Sequence, residues 1–439
     1  MAFMMRLDGL ELTNFHRFEH FSIDFDERMT VLVGENGSGK SSVLDAARIA
    51  LEAFTYHIVP GLQRRIESTD ARISRYGMGG ITDRQEQYPV IVAARGFVGE
   101  GGSEQITWSR SLGSPDDREY SVKPDGIWNL AEECKDRIKA GDTDLVLPVL
   151  AFYGTGRLWA NEGKFPGGVR EGFSRQDGYR GAFDATAGTQ RMLDWFYKMT
   201  AQDVQRAQSI EPQGPNPLFA AVRGAVERCF MEISGCERVN VTYNLDVNDL
   251  DVEYRESDGS VQRLSMSRLS DGYRTTLSLF ADIAYRMALL NPALGERVLE
   301  TPGVVLIDEV DLHLHPRWQA RILGDLCAVF PKVQFIVTSH APMVISSVPK
   351  KQVRILGEDC AYAPMRESYG LAANDVLTGI MGAGDRQPRV RQLLDEFARH
   401  FDAEDFDSAE RTLDELERLV GADNPDVVAA RSALVFEWL

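Results

Sequence analysis

The sequence predicts an α/β fold, and three stretches carry that prediction. An apolar run over 29–33 feeds Gly34-Glu35-Asn36-Gly37-Ser38-Gly39-Lys40-Ser41 and then a helical pattern through Ile49. A second apolar run, 302–307, stops at the adjacent carboxylates Asp308 and Glu309. A third, 333–338, follows a helical segment and stops at Ser339-His340. Each reads as an apolar strand with polar chemistry at its end.

The first stretch is the strand, glycine-rich loop, Gly-Lys-Ser and helix of a P-loop. Glycines let backbone N–H groups turn inward, and the helix N-terminus adds positive potential, so such a loop cradles phosphates. The binding candidates are Asn36, Gly37, Ser38, Gly39, Lys40, Ser41 and Ser42. Lys40 is expected to reach the β- and γ-phosphates, and the Ser41 hydroxyl to ligate Mg²⁺. The segment implies binding of a nucleoside triphosphate.

Composition bounds the rest. With 439 residues the chain has room for two or three domains, or one large ATPase with insertions. Its 44% hydrophobic and 26% charged content are those of a soluble globular protein with an ample core. No run approaches the roughly 18 apolar residues of a membrane span, and the N-terminus lacks the apolar stretch of a signal peptide. Five scattered cysteines without CxxC or metal-ligand spacing read as reduced thiols, so a cytoplasmic location is expected. A formal charge of −18 argues against a surface that holds nucleic acid broadly. Such contact would need a local basic patch, oligomerisation or a partner.

Residues 5–33 read as an N-terminal strand meander, with clean alternation at Phe21-Ser22-Ile23-Asp24-Phe25. Within it, Leu10-Glu11-Leu12-Thr13-Asn14-Phe15-His16-Arg17-Phe18 resembles the opening of SMC-like ABC ATPases (RecF, RecN, OLD-type and relatives). The resemblance implies a basic residue near the nucleotide, which makes Arg17 a candidate; an arginine exposed on a turn is the alternative. Signals weaken over 54–105, apart from a strand near 88–94 and its hairpin partner near 105–110. A short helix over 131–140 precedes a strand over 145–152, which ends in Tyr153-Gly154-Thr155-Gly156-Arg157. This turn resembles a Tyr-Gly-Thr-x-Arg stretch in a subgroup of bacterial ATPases, with Arg157 as the sensor candidate and a structural arginine as the alternative. Basic and aromatic residues interleave over 160–187, a pattern that suits partner docking or single-stranded nucleic acid. Helices near 189–205 and 218–233 follow, then strands near 239–243, 251–254 and 261–266, with Asp258-Gly259 as a turn. No heptad run separates Lys40 from Leu269, which excludes the long coiled-coil arm of true SMC proteins.

Ser270-Asp271-Gly272 opens a helix running to 290 and resembles the signature of ABC-type ATPases, although Asp271 and Tyr273 depart from its commonest form. The resemblance implies contact with the γ-phosphate of ATP held on the opposite subunit, again by helix-terminus anion binding. Asp308 occupies the Walker B position, where it would hold the Mg²⁺ shell. Glu309, one residue on and facing the other way across the pleat, would polarise the attacking water. Val310-Asp311-Leu312-His313-Leu314-His315-Pro316 resembles a D-loop, with Asp311 and His313 as candidates; the two histidines lack a third ligand for a metal. A helix over 317–330 and the third strand lead to His340, which resembles a switch histidine and joins Glu309 as a catalytic candidate. Gln85, Gln87 and the Tyr153–Arg157 turn are rival candidates for the glutamine-loop sensor.

Domain limits are expected at 1–58 (P-loop part of the ATPase), 59–248 (inserted lobe returning to the core), 249–357 (signature, Walker B, D-loop and switch histidine) and 358–439 (helical). Tail helices read near 388–402, 405–420 and 425–438. The tail resembles bacterial stand-alone ATP-binding proteins related to PtuA, the ATPase of Septu and some retron antiphage systems, which works with a separate HNH nuclease. The chain itself has no TOPRIM pattern and no His-Asn-His run. The resemblance implies an ABC-type P-loop ATPase with an N-terminal β meander, an inserted α/β lobe and a C-terminal helical tail. It implies a homodimer or higher homo-oligomer closing around ATP and Mg²⁺, and control of a separate effector such as an HNH nuclease, through which nucleic acid would be reached. A RecF-like DNA-binding repair ATPase is the alternative. A nucleotide-gated scaffold is the third reading, and Glu309 stands against it.

Overall fold

The computed structural model describes residues 3–59, 64–78, 81–100, 105–117, 120–121, 126–158, 173–184, 189–256, 259–383 and 386–437. Its centre is a six-stranded sheet in the order Ala361–Tyr362, Val353–Leu356, Met29–Val33, Val333–Thr338, Gly303–Ile307, Val149–Tyr153. The first pair is antiparallel and the other four pairs are parallel. Met29–Val33, Gly303–Ile307 and Val333–Thr338 are buried at every position, as strands covered on both faces must be. The histidine-bearing strand therefore lies between the P-loop strand and the carboxylate strand, and all three end on the same edge.

A second, antiparallel sheet has the order Phe18–Asp24, Phe3–Phe15, Val90–Glu100, Gln105–Leu112, Tyr120–Ser121. The first two strands form the expected hairpin, with Leu12 opposite Phe21. The third strand of the meander leaves for the parallel sheet, and Val90–Glu100 takes the place beside Phe3–Phe15. Gln334 fastens the two sheets. Its buried amide accepts from Leu7 N (2.8 Å) and donates to Leu7 O (2.7 Å) and Asp26 O (2.9 Å).

Helix Lys40–Ile58 continues the P-loop, and helix Asp271–Leu290 is buried around most of its circumference. Helices Thr189–Ala207 and Pro217–Ser234 and the three-stranded sheet Val239–Asn244, Asp249–Arg255, Val261–Ser265 lie near their expected limits. Three elements differ. The strand expected over 145–152 is Val149–Tyr153, because Pro148 lacks an N–H and Leu147 bonds instead to the Asn291 side chain (2.7 and 2.8 Å). The helix expected over 317–330 is split into Pro316–Gln319 and Ile322–Val329 at Arg321, whose φ of −120° departs from helical geometry. The hairpin Ile73–Met78 with Ile81–Glu86 falls where signals weaken; its residues 73–77 and 83–86 are exposed or half-buried with no buried face.

The interleaved loop is also partly reassigned. Arg175 donates to Leu290 O (2.6 Å) and Asp142 O (2.8 Å), and Tyr179 to Pro148 O (2.8 Å), so both serve packing rather than docking. Its residues 160–172 and 185–187 and the turn residue Asp258 lie outside the described residues.

The chain divides into two compact units, Met1–Val376 and Leu377–Leu439. The stretch from 358 to 376 therefore falls with the first unit: Ser368 Oγ donates to Val348 O (2.6 Å) and Gly370 N to Ser346 O (2.9 Å). In the second unit, helices Pro388–Asp402, Phe406–Val420 and Pro425–Glu437 bury Leu393, Phe397, Leu413, Leu416 and Val427 among themselves. Among the described residues no helix is long and apolar enough to cross a membrane. All five cysteines are free thiols.

Candidate nucleotide site

The loop after Met29–Val33 turns on two glycines in the left-handed region, Gly37 (φ 79°) and Gly39 (φ 100°). A Cβ on Gly39 would also collide with the Phe18 ring, so both conformation and space require glycine there. Lys40 Nζ donates to Gly34 O and Glu35 O, each at 2.9 Å. Burial pulls the Lys40 ammonium below its ordinary value, against the upward pull of Asp308 and Glu309.

An open cleft of 310 Å³ forms over this loop. The P-loop contributes Asn36, Gly37, Gly39, Lys40, Ser41 and Ser42; the strand ends contribute Asp308, Glu309, Thr338 and His340. The turn between the first two strands adds His16 and Arg17. Arg17 donates to the Gly37 carbonyl while remaining exposed. Ser38 is absent from this lining: its hydroxyl is buried beneath Gly34 without a hydrogen-bond partner.

The acids are held from the neighbouring strand. Thr338 Oγ1 donates to Asp308 Oδ1 (2.6 Å) and accepts from Glu309 N (2.7 Å). Asp308 N donates to Tyr153 O (2.8 Å). Glu309 does not continue the pleat as expected. The strand ends at Ile307 and Glu309 has φ 47°, so a left-handed backbone, rare for a residue with a side chain, sets its direction.

Ser270, Asp271 and Gly272 are not brought into the cleft. Ser270 lines a separate 520 Å³ cavity with Arg268 and Tyr273, and its hydroxyl makes no capping bond. Gly272 packs against the loop over 310–316, where a Cβ would stand 2.6 Å from His313 O. His313 is itself left-handed (φ 61°), and Asp311 keeps one carboxylate oxygen buried without a partner. His315 caps Pro316–Gln319 by accepting from Arg317 N (3.3 Å). Gln85 and Gln87 bond within their own hairpin, to Asp83 (2.8 Å) and Gln85 O (3.0 Å), away from the cleft. The Arg157 backbone lies in the Thr155–Leu158 turn beyond Tyr153; its side chain is outside the described residues.

Two further residues line the cleft: Thr338, an ordinary strand residue, and His16, which neighbours Arg17 in the 10–18 segment. His16 bridges Ser42 Oγ (2.9 Å) and Asp70 Oδ1 (3.0 Å). Its neighbours Asp45 and Asp70 bring carboxylates near enough to suggest a cation site. Arg64 already bridges them, at 2.8 Å from Asp45 and 2.6 Å from Asp70, so a guanidinium balances that charge.

A parallel sheet that gathers a P-loop, a strand-end acid pair and a strand-end histidine on one edge, beside an antiparallel sheet, is the fold of an ABC-type P-loop ATPase. Two family models match, described as "AAA domain" over residues 10–203 and "AAA domain, putative AbiEii toxin, Type IV TA system" over residues 184–346. The chain is 26% identical over 412 residues to the "Retron Vc95 probable ATPase" of Vibrio cholerae serotype O1 biovar El Tor, covering 85% of this chain and 78% of that protein. It is 25% identical over 459 residues to the "Retron Ec83 probable ATPase" of Escherichia coli, covering 90% and 79%. A shorter match to the Septu protein PtuA of Bacillus mycoides (strain KBAB4) is 36% identical over 139 residues, 29% of this chain and 18% of that protein. The chain thus carries matches to AAA domains and resembles the retron probable ATPases and PtuA.

Proposed function

We propose that this chain hydrolyses ATP with Mg²⁺, closes as a homodimer or higher homo-oligomer around the nucleotide, and controls a separate effector in antiphage defence. The observation that carries the ATPase reading is the single cleft joining Lys40, Ser41, Asp308, Glu309 and His340. Lys40 meets the β- and γ-phosphates, and the N–H groups of the loop hold the remaining oxygens. Ser41 and Asp308 supply hard oxygen donors, which suit Mg²⁺. An ion held there would neutralise charge developing on the phosphates. Thr338 fixes the Asp308 carboxylate, Glu309 polarises the attacking water, and His340 donates toward the γ-phosphate. Arg17 holds the loop from the opposite side.

The dimer reading rests on Ser270. Ser270 stands outside its own cleft, which leaves its hydroxyl to serve the nucleotide of a second copy, and Asp311 and His313 would run between the two sites. Effector control rests on the likeness to retron and Septu proteins, and an HNH nuclease is the expected partner class. The −18 charge disfavours the RecF-like reading in which this chain itself holds DNA.

The test is phosphate release from Mg·ATP by the wild-type chain, Lys40→Ala and Glu309→Gln, with a tagged pull-down from native cells. Turnover lost in both variants, with a stoichiometric nuclease or reverse transcriptase recovered, supports the proposal. Turnover unchanged in Glu309→Gln, or salt-sensitive DNA recovered without a protein partner, contradicts it.

A further inference from the structure

The 520 Å³ cavity that Ser270 lines is larger than the 310 Å³ cleft over the P-loop, and no step of the proposed ATPase reaction fills it. It lies between the C-terminal end of helix Pro217–Ser234, the strand Asp249–Arg255 and the turn over 266–270. Three rings form its floor. Phe230 is buried, and the half-buried rings of Tyr254 and Tyr273 pack against it with centres 5.0 and 5.4 Å away. Trp318 backs Tyr273 at 4.5 Å, so the floor is held in place from outside the cavity.

Arg255 and Arg268 line the same space, are exposed, and their guanidinium groups have no partner among the described residues. Arg263 of the adjoining strand differs, because it is paired with Asp251 at 2.9 Å. Glu256 is the one carboxylate of the lining among the described residues, and no ion pair joins it to either arginine. Burial pushes the Tyr254 and Tyr273 hydroxyls up, Glu256 adding to the effect at Tyr254, so both stay protonated.

Each feature selects part of a ligand. An aromatic floor takes the face of a planar ring. Unpaired guanidiniums bind phosphate oxygens in pairs. Glu256 repels a bare anion but accepts from an amino group on a ring. A base that carries an amino group and is joined to a phosphate meets all three demands, and 520 Å³ lies within the roughly 300–1,000 Å³ of small-ligand clefts. The formal charge of −18 favours a free nucleotide over a nucleic-acid strand.

We propose that this cavity binds a free nucleoside monophosphate with an amino-bearing base, stacked on Tyr254 with its phosphate at Arg255 and Arg268, and that its occupancy withholds Ser270 from a second copy. The binding is independent of the P-loop; the withholding of Ser270 rests on the dimer reading.

The experiment is calorimetric titration of the full Lys40→Ala chain with AMP in the presence of EDTA. AMP lacks the β- and γ-phosphates that Lys40 would meet, and this variant lacks Lys40, so the heat reports the second cavity. One AMP should bind per chain. On that background Arg268→Gln and Tyr254→Leu, each checked by thermal melt, should weaken binding about tenfold. Arg263→Gln should stay within about threefold of its parent. IMP, with a carbonyl in place of the amine, should bind about tenfold more weakly than AMP, and Glu256→Gln should close that gap. Should Tyr254→Leu unfold, the exposed Arg268 carries the same expectation. No AMP bound, an unchanged affinity in Arg268→Gln, or IMP bound as well as AMP overturns the site; the dinucleotide ApA bound more than about tenfold tighter than AMP assigns it to a strand instead. AMP should also slow phosphate release from Mg·ATP by the wild-type chain, and Arg268→Gln should relieve this. Binding without slowing overturns the withholding of Ser270 and leaves the cavity assigned.

Discussion

Thr338 and Asp308 sit on adjacent parallel strands, and the threonine hydroxyl donates to the aspartate carboxylate at 2.6 Å while accepting the next amide, Glu309 N, at 2.7 Å. One hydroxyl therefore fixes the Asp308 carboxylate and the Glu309 backbone. Thr338→Val keeps the shape and removes both bonds. We expect turnover to fall 10- to 100-fold with nucleotide affinity changed only a few-fold, and about 1–3 kcal/mol of stability lost from the unsatisfied amide. Steady-state kinetics beside a thermal melt separate the two effects.

Glu309 owes its direction to its left-handed backbone, so its carboxylate is placed independently of the Asp308 side chain. Glu309→Gln should keep ATP binding and lower turnover by roughly 10²- to 10⁴-fold, the range of a lost general base. Filter binding of labelled ATP together with phosphate release checks both halves.

Gly272 has no room for a side chain against the His313 carbonyl. Gly272→Ala should push the turn over 270–272 off the His313 backbone; on the proposed trans role this abolishes turnover while leaving the affinity of a single chain for nucleotide intact. Equal losses in binding and turnover would contradict this separation.

Asp282 and Arg286 form a buried pair at 2.7 Å, with side chains 8% and 3% exposed, and Tyr153 OH donates to the same carboxylate at 2.7 Å. Burial and the facing Asp282 push the Tyr153 hydroxyl well above its ordinary value, so it remains a donor. Arg286→Leu leaves an unpaired buried carboxylate and should cost about 3–5 kcal/mol. The urea midpoint of the full chain reads this directly; Asp282→Asn combined with Arg286→Leu should recover part of the loss.

Asp70 sets a pH dependence. Its folded carboxyl lies below the ordinary 3.8, so its contribution is complete above that value and drains away as pH falls through it toward the folded value. The stability gap between wild type and Asp70→Asn should be constant from about pH 5 to 8 and shrink below about pH 4. A gap that widens on acidification would reverse the sign.

The strand ends were readable because their chemistry is local: a P-loop occupies eight consecutive residues, and buried parallel strands are apolar at every position. The tail helices were readable for a similar reason, since Leu413 and Leu416 repeat at helical spacing on one face. What escaped is non-local or carries no distinctive composition. Asp70 lies 54 residues from His16, in a stretch with weak periodicity, and no short window could join them. Thr338 is an ordinary strand residue whose role exists only once its strand lies beside Asp308. The left-handed turn at Glu309 follows from how the strand end packs on Thr338, whereas glycines at 37 and 39 announce theirs. Ser38 sits inside a recognised motif and still faces away, because the loop folds its hydroxyl beneath Gly34.

The most direct measurement mixes two inactive chains, Lys40→Ala and Ser270→Arg, and follows phosphate release from Mg·ATP. Heterodimers join the intact P-loop of one chain to the intact signature of the other, so the mixture should recover up to about a quarter of wild-type turnover while each parent stays inactive. A mixture as inactive as its parents, under conditions where the protomers exchange, would contradict a site shared between two copies.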